Sequence, residues 1–243
     1  MQLNPRLMLA GSLVLGALGG VVLGVAFKPA MVDYTPIINP VDFVGEISNP
    51  FFTLTPGSVF TYENSTPEGL EVITVTVTHE TKRIMGVTTT VVHDVSTVNG
   101  QLHEDTQDWY AQDRDGTVWY FGEAVDNYEN GAIKDHAGSW EAGVNGAQPG
   151  IIMQAHPAVG QTYRQEYSKG IAEDLAEVVD LDQSVTVPTG TYTGCLQTRD
   201  SSAIEKSLIE SKYYCPTVGF ITLETDLAGG TDKVQLTKFT QPK

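Results

Sequence analysis

From residue 57 onward the chain alternates. Val72, Thr74 and Thr76 interleave with Ile73, Val75 and Val77, a period of two that sends successive side chains to opposite faces of a strand. The same pattern runs through 88–98, 161–167, 184–187, 191–199, 220–223 and 233–239, where Thr, Val and Tyr dominate, the residue types that strands prefer. Helical periodicity is nearly absent, and the gaps between runs are too short for crossover helices. The expected fold is therefore mainly β, with antiparallel meanders forming a curved sheet or an open, half-barrel structure.

The N-terminus obeys another rule. Residues 7–27, LMLAGSLVLGALGGVVLGVAF, carry no charge and come directly after Arg6. A helix of that length spans about 31 Å, close to the hydrocarbon thickness of a bilayer. Gly16, Gly20 and Gly24 recur at every fourth position, a spacing that lets membrane helices pack closely. Gly24-Val25-Ala26 also offers small residues for a signal peptidase. The run reads as one apolar helix, either a membrane anchor or a cleaved signal peptide, and both readings export the remainder of the chain. No Cys lies near its end, which excludes a lipid-modified cysteine there. Residues 28–56 hold Pro29, Pro36, Pro40, Pro50 and Pro56 and read as an extended stalk, or as a segment laid on the domain surface. The β domain is expected over 57–243.

Within that domain the chain repeats itself. Gly57-Ser-Val-Phe-Thr-Tyr-Glu63 matches Gly160-Gln-Thr-Tyr-Arg-Gln-Glu166, and Gly86 with its Thr/Val run matches Gly190 with its own. Trp109-Tyr-Ala with Gly116-Thr-Val-Trp then matches Tyr213-Tyr-Cys with Gly219-Phe-Ile-Thr, in the same order. This predicts two repeated meanders, 57–123 and 160–224, separated by a Gly-rich loop over 124–159.

Charge and cysteine content narrow the partners. The chain holds 30 acidic and 14 basic residues, a net charge of −16. Such a surface repels phosphate backbones and excludes nucleic acid as a partner. It favours cations, cationic surfaces or neutral ligands bound by shape, with the membrane as a partner through 7–27 if that segment is retained. Only two cysteines occur, Cys195 and Cys215, with no metal-binding or redox spacing. In an exported chain they are expected to pair across a hairpin turning near 201–208, with Arg199 opposite Ser211 and Asp200 opposite Glu210.

The densest aromatic stretch is DWYAQDRDGTVWYFGE, residues 108–123. Asp113-Arg-Asp-Gly116 suits a type I turn followed by a glycine bulge. Closing 113 on 117 sets Ala111 beside Trp119 and Trp109 beside Phe121. The tryptophans and Phe121 then share one face, expected to be the core face, with Tyr110 and Tyr120 on the other. An exposed platform for carbohydrate or hydrophobic ligands is the lesser reading.

This hairpin, with KYYCPTVGFI at 212–221, WEAGVNGAQPGI at 140–151 and GQTYRQEY at 160–167, resembles a family of uncharacterised secreted bacterial β-rich proteins. The resemblance covers residues 50–240 and implies no activity. More distantly, YYCPTVGFI is similar to a hairpin in lipoproteins whose antiparallel sheet curls into a half-barrel, which implies a curved sheet and lends no function.

Catalytic signatures are absent. The five histidines form no H-E-x-x-H and no i, i+4 pair, and Ser139 lacks a nucleophile elbow. Asp113-x-Asp115-Gly116 fails as an EF-hand because Ala111 and Gly122 occupy ligand positions. The acids Glu173, Asp174, Glu177, Asp180 and Asp182 read as solvated strand or turn positions. One candidate site remains. Trp140, the one large apolar anchor of the Gly-rich loop, should dock it on the sheet and contact a ligand, with Glu123, Asp126, Glu129 and Glu141 converging on calcium or a polar ligand. The functional expectation is an exported cell-envelope binding or structural module without catalysis or a resident cofactor. The alternative is a secreted hydrolase using paired carboxylates.

Overall fold

The computed structural model describes residues 34–230 and 232–242; the apolar run 7–27, with its anchor and signal readings, lies outside them. The described chain is almost entirely strand. A hairpin of β1 (Ile47–Asn49) and β2 (Phe52–Leu54) comes first. Then β3 (Val59–Thr66), β4 (Gly69–Ile84), β5 (Val87–Val98), β6 (Gln101–Gln112) and β7 (Val118–Glu129) make one meander. Next come the short strands β8 (Ala132–Asp135), β9 (Trp140–Glu141) and β10 (Gln148–Met153), then β11 (Thr162–Arg164) and β12 (Glu166–Tyr167). The second meander is β13 (Asp174–Val187), β14 (Gly190–Ser202), β15 (Ile209–Cys215), β16 (Phe220–Asp226) and β17 (Lys233–Thr240).

One antiparallel sheet runs β11-β13-β14-β15-β16-β17-β3-β4-β5-β6-β7-β10-β12, while β8 and β9 take further stretches of the β7 edge. Its two ends, β11 and β12, are separated in the chain by Gln165 alone. One bent segment therefore pairs with both edges and brings the sheet close to closure, which hides edges that would otherwise recruit other strands. The two segments expected to repeat have the same strand order, β3 to β7 in one and β11 with β13 to β16 in the other, and β17 joins them by pairing with β3.

Two segments fold more than their composition suggests. The Gly-rich stretch is no open loop: β7 continues to Glu129, and β8, β9 and β10 all pair with it. Gly122 makes the β9 pairing possible. Its φ is +121°, and a Cβ there would lie 2.3 Å from the Trp140 carbonyl oxygen. Upstream, the described part of the Pro-rich segment lies on the domain, with Tyr34 Oη donating to the Pro149 carbonyl at 3.1 Å and Val44 N–H donating to Gln112 O at 2.9 Å. Ile47, Phe52 and Leu54 are buried, so the β domain begins before Gly57.

The β1–β2 hairpin plugs one end of the barrel. The Phe52 ring lies 5.2 Å from Tyr110 and 4.8 Å from Phe220, with Phe60 stacked on Phe220. Hydrogen bonds tie the plug to the strand ends. The Gln112 side-chain oxygen accepts from the Ser48 and Asn49 backbone N–H groups at 2.8 Å, and Asn49 Nδ2 donates to the Gly116 carbonyl. The disulfide joins Cys195 to Cys215, and Arg199 faces Ser211 and Asp200 faces Glu210 as expected.

The aromatic hairpin closes on Asp113 and Thr117, with Ala111 opposite Trp119 and Tyr110 opposite Tyr120. Both faces of the hairpin are buried: Trp109 and Phe121 belong to the hydrophobic core as expected, and so do Tyr110 and Tyr120 on the other face. Tyr110 and Tyr120 face the barrel interior, stacked at 4.7 Å. The tryptophan side faces outward and is covered instead by Phe43, which packs against Trp119 and Phe121, and by Lys82, whose Nζ sits 3.3 Å from the centre of the Trp109 ring. Hydrophobicity marks the tryptophan face as buried but leaves the tyrosine face unassigned, because a barrel buries its inner face whatever that face carries, and an added segment buries the outer one.

Candidate functional site

The register shows which side chains fill the barrel. Phe60, Tyr62 and Asn64 face Val75, Ile73 and Glu71 on β4. Those residues face Asp94 and Ser96 on β5, which in turn oppose Thr106 and Glu104 on β6. Across β6 and β7 the inward pairs are Glu104 with Asn127, Thr106 with Val125 and Asp108 with Glu123. In the second meander, Asp200, Thr198 and Leu196 face Glu210, Lys212 and Tyr214, and Glu210 and Lys212 face Asp226 and Glu224 on β16. The inner surface is thus aromatic beside the plug and carboxylate-rich beyond it. Glu71, Asp94, Asp108, Glu123, Glu166, Asp200, Glu210 and Glu224 are all buried, and Lys212 is buried among them.

Lys212 organises one group. Its Nζ lies 3.4 Å from Asp200, 3.7 Å from Glu224 and 4.0 Å from Glu210, and these carboxylates hold the ammonium pKa well above the ordinary lysine value against the opposing effect of burial. The other carboxylates rely on neutral donors. Glu71 accepts from Asn64 and Ser96, Glu104 from Thr106, and Asp108 from the Tyr120 phenol at 2.6 Å. Burial raises every one of these three acids, because a charge removed from water is disfavoured unless it is fully compensated. Glu104 and Asp108 are each pushed up to about 7. Burial, and then the charge of neighbouring carboxylates, push Asp94, Glu123 and Glu166 well above the carboxylate range.

Asp200 has no hydrogen bond on either oxygen but lies 3.4 Å from the Lys212 ammonium; Glu123 and Glu166 lack even that. Neither oxygen of either carboxylate meets a hydrogen-bond donor, and Glu166 is the charge that Glu123 feels most strongly. Away from the plug, the barrel opens into a cavity of about 820 Å³. Its lining includes Glu68, Glu71, Glu129, Asp232 and His103 but no Lys or Arg. This mouth and the acids behind it form the candidate site.

Of the residues singled out in the sequence, the fold brings some together and separates others. Glu123, Trp140 and Glu141 line a smaller hollow of about 370 Å³ beside Lys82 and Trp109. Trp140 docks its segment as expected: it is buried, pairs with Glu123 in register and meets Tyr120 edge-on at 5.4 Å. Glu141 forms an ion pair with Lys82 at 2.7 Å, Asp126 pairs with His136 at 2.7 Å, and Glu129 lies at the mouth. The four acids are thus dispersed, and among the described residues no three His, Cys, Asp or Glu side chains are grouped to hold a metal ion. In the acidic stretch 173–182, Asp180 lies at the solvent-facing surface, its carboxylate held low by backbone and Gln183 hydrogen bonds.

Reading the residues singly misses Glu71, Asp94, Glu104, Asp108, Glu166, Asp200, Glu210, Lys212 and Glu224. The signal that finds them is positional parity. Lys212 and Glu210 lie two and four residues before Tyr214, and Glu71 two before Ile73, so each shares a face with an obvious core residue.

Comparison with known proteins adds little. No family model matches the chain, and no curated protein matches it. One solved structure resembles it, a protein described as a putative lipoprotein from Parabacteroides distasonis ATCC 8503. It has 16% sequence identity and a TM-score of 0.42, over 78% of this chain and 98% of that one. A likeness that distant carries neither activity nor ligand across.

Proposed function

We propose that this is an exported cell-envelope protein, a binding module that takes positively charged ligands into its carboxylate-lined barrel. Export is supported by the uncharged run 7–27 behind Arg6 and by a buried disulfide, since disulfides persist in oxidising compartments. The observation that carries the binding reading is an imbalance of charge: among the described residues nine acids are buried against one lysine, and the open mouth is lined by Glu68, Glu71, Glu129 and Asp232 with no Lys or Arg. Burying carboxylates without partners costs stability. A protein that keeps them beside a wide acidic mouth has a place for incoming positive charge.

Hydrolysis has less support. Asp108 and Glu123 oppose each other on adjacent strands, but neither lines the open mouth, so no scissile bond is placed between them. The test is thermal unfolding of the full-length chain at pH 7 and constant ionic strength with a panel of inorganic and organic cations. At least one cation should raise the melting temperature in a saturable way. A panel that behaves uniformly as bulk salt would remove the reading.

A further inference from the structure

We propose that the hollow beside Trp140 binds one ring of a neutral acetamido sugar, held by Glu123 and the Trp140 indole N–H. This site lies in the barrel wall and shares no lining residue with the acidic mouth, so it stands independently of the cation reading.

The wall is interrupted at this point. β6 and β7 shift register between Asp108 and Tyr110, and the β7 edge passes from β10 at Tyr120 to β9 at Gly122. The hollow, of about 370 Å³, therefore takes residues from both faces of the sheet: Lys82 and Trp109 from the outer one, Glu123 and Trp140 from the inner one. Val144 and Ile171 line it too, and both are exposed. The two inner residues are left incomplete. Both Glu123 oxygens are buried without a donor, and the buried Trp140 Nε1 is without an acceptor. Buried polar groups are otherwise almost always paired, and each one left unpaired costs stability.

These two residues fix the chemistry of what completes them. Glu123 and Trp140 are direct cross-strand partners, so their side chains start about 5 Å apart on one face. The ligand must offer a donor and an acceptor at that separation. Charge narrows the choice further. A cation would meet the Lys82 ammonium and an anion would meet Glu123 and Glu141, while Lys82 and Glu141 already neutralise each other at 2.7 Å. A neutral ligand is left. An acetamido sugar carries the full set: its amide carbonyl accepts from Trp140 Nε1, and a neighbouring hydroxyl donates to Glu123, which accepts in either protonation state. Its methyl group lies against Val144 and Ile171. The volume falls at the lower end of the range for small-molecule sites, which suits a single ring.

The experiment is calorimetric titration of the full-length chain at pH 7 in a polyoxyethylene detergent, which carries no sugar. The probes are N-acetylglucosamine, glucose, glucosamine and chitotriose. N-acetylglucosamine is expected to bind saturably and at least tenfold more tightly than glucose or glucosamine. Chitotriose, which ends in the same ring, separates the sources: binding at least as tight as the single sugar places the ring at the end of a glycan, and weaker binding restricts the site to the free sugar. Trp140→Phe keeps an aromatic ring and removes the N–H, and Glu123→Leu replaces the unpaired acid with an apolar side chain. Each should lose at least tenfold in affinity while keeping its near-UV circular dichroism. Glu46→Gln, at an exposed position outside the hollow, should bind as the parent does. If the inner variants fail to fold, Val144→Ser/Ile171→Ser at the exposed rim gives the same reading, with the same loss expected. Glucosamine or glucose binding as tightly as N-acetylglucosamine would overturn the ligand class. Affinity unchanged in the folded variants would overturn the placement. No saturable binding by any of the four would overturn the site, and would leave the cation reading to its own melting test.

Discussion

A single lysine decides how much negative charge the second meander can bury. Lys212 has an ammonium within 4.0 Å of three buried carboxylates, and removing one member of such a group strands the others. Lys212→Met should cost about 3–5 kcal/mol at pH 7. The cost should shrink at pH 4, where the stranded acids take up protons instead of repelling one another. Urea unfolding at the two pH values checks this, and equal losses at both would mean that the ammonium contributes packing alone. Gly122 makes a different demand. Its φ of +121° and the Trp140 carbonyl 2.3 Å from any added Cβ leave no room for a side chain, so Gly122→Ala should destabilise by about 1–3 kcal/mol. It should also release Trp140 from Tyr120, visible as a red-shifted tryptophan emission.

Among the elements, strands and hairpins were the legible part of this chain. The disulfide register comes from arithmetic on Cys195 and Cys215, because an antiparallel pair fixes every partner once one is known, and Arg199 with Ser211 confirms it. The bridge closes a 20-residue separation. Its removal by Cys195→Ala/Cys215→Ala should cost about 3 kcal/mol in the entropic account, read as a lower urea midpoint; an unchanged midpoint would show that the reduced chain is already constrained by the hairpin. The illegible part was which face pointed inward. Glu104, Asp105, Thr106, Gln107 and Asp108 are all polar, so alternation there gives no apolar face to place inside. Only pairing with Ser96, Asp94 and Val92 settles that Glu104, Thr106 and Asp108 look into the barrel. The same limit hid the site: the sequence marks Glu123 and Trp140 as neighbours of a loop, whereas closure of the sheet through β11 and β12 sets Glu123 beside Glu166.

The whole molecule should carry its acidic interior as an inverted pH dependence. Glu71, Glu104, Asp108 and Glu210 have raised pKa values, chiefly through burial. Asp94, Glu123, Glu166 and Glu224 are raised further by burial and their neighbours' charge. An acid whose pKa is higher in the folded state binds more protons there than in the unfolded chain. Its contribution to stability is complete below the unfolded pKa near 4 and is lost as pH climbs through the folded value. For Glu104 and Asp108, pushed up to about 7, that loss falls between roughly pH 4 and 7. The opposing groups are weaker or act elsewhere. Asp180 is lowered but lies at the surface, where solvent screens it. The raised Lys212 loses its contribution only above the ordinary lysine range. Net charge of −16 adds repulsion in the same direction as carboxylates ionise. The melting temperature should therefore be highest near pH 4 and fall toward pH 8 at constant ionic strength. A cation seated among the acids should flatten that fall, because it stabilises the ionised form in place of protons. A profile that rises from pH 4 to 7, as carboxylates held low by ion pairs would give, would mean that the inner acids are already compensated and have no need of a cation.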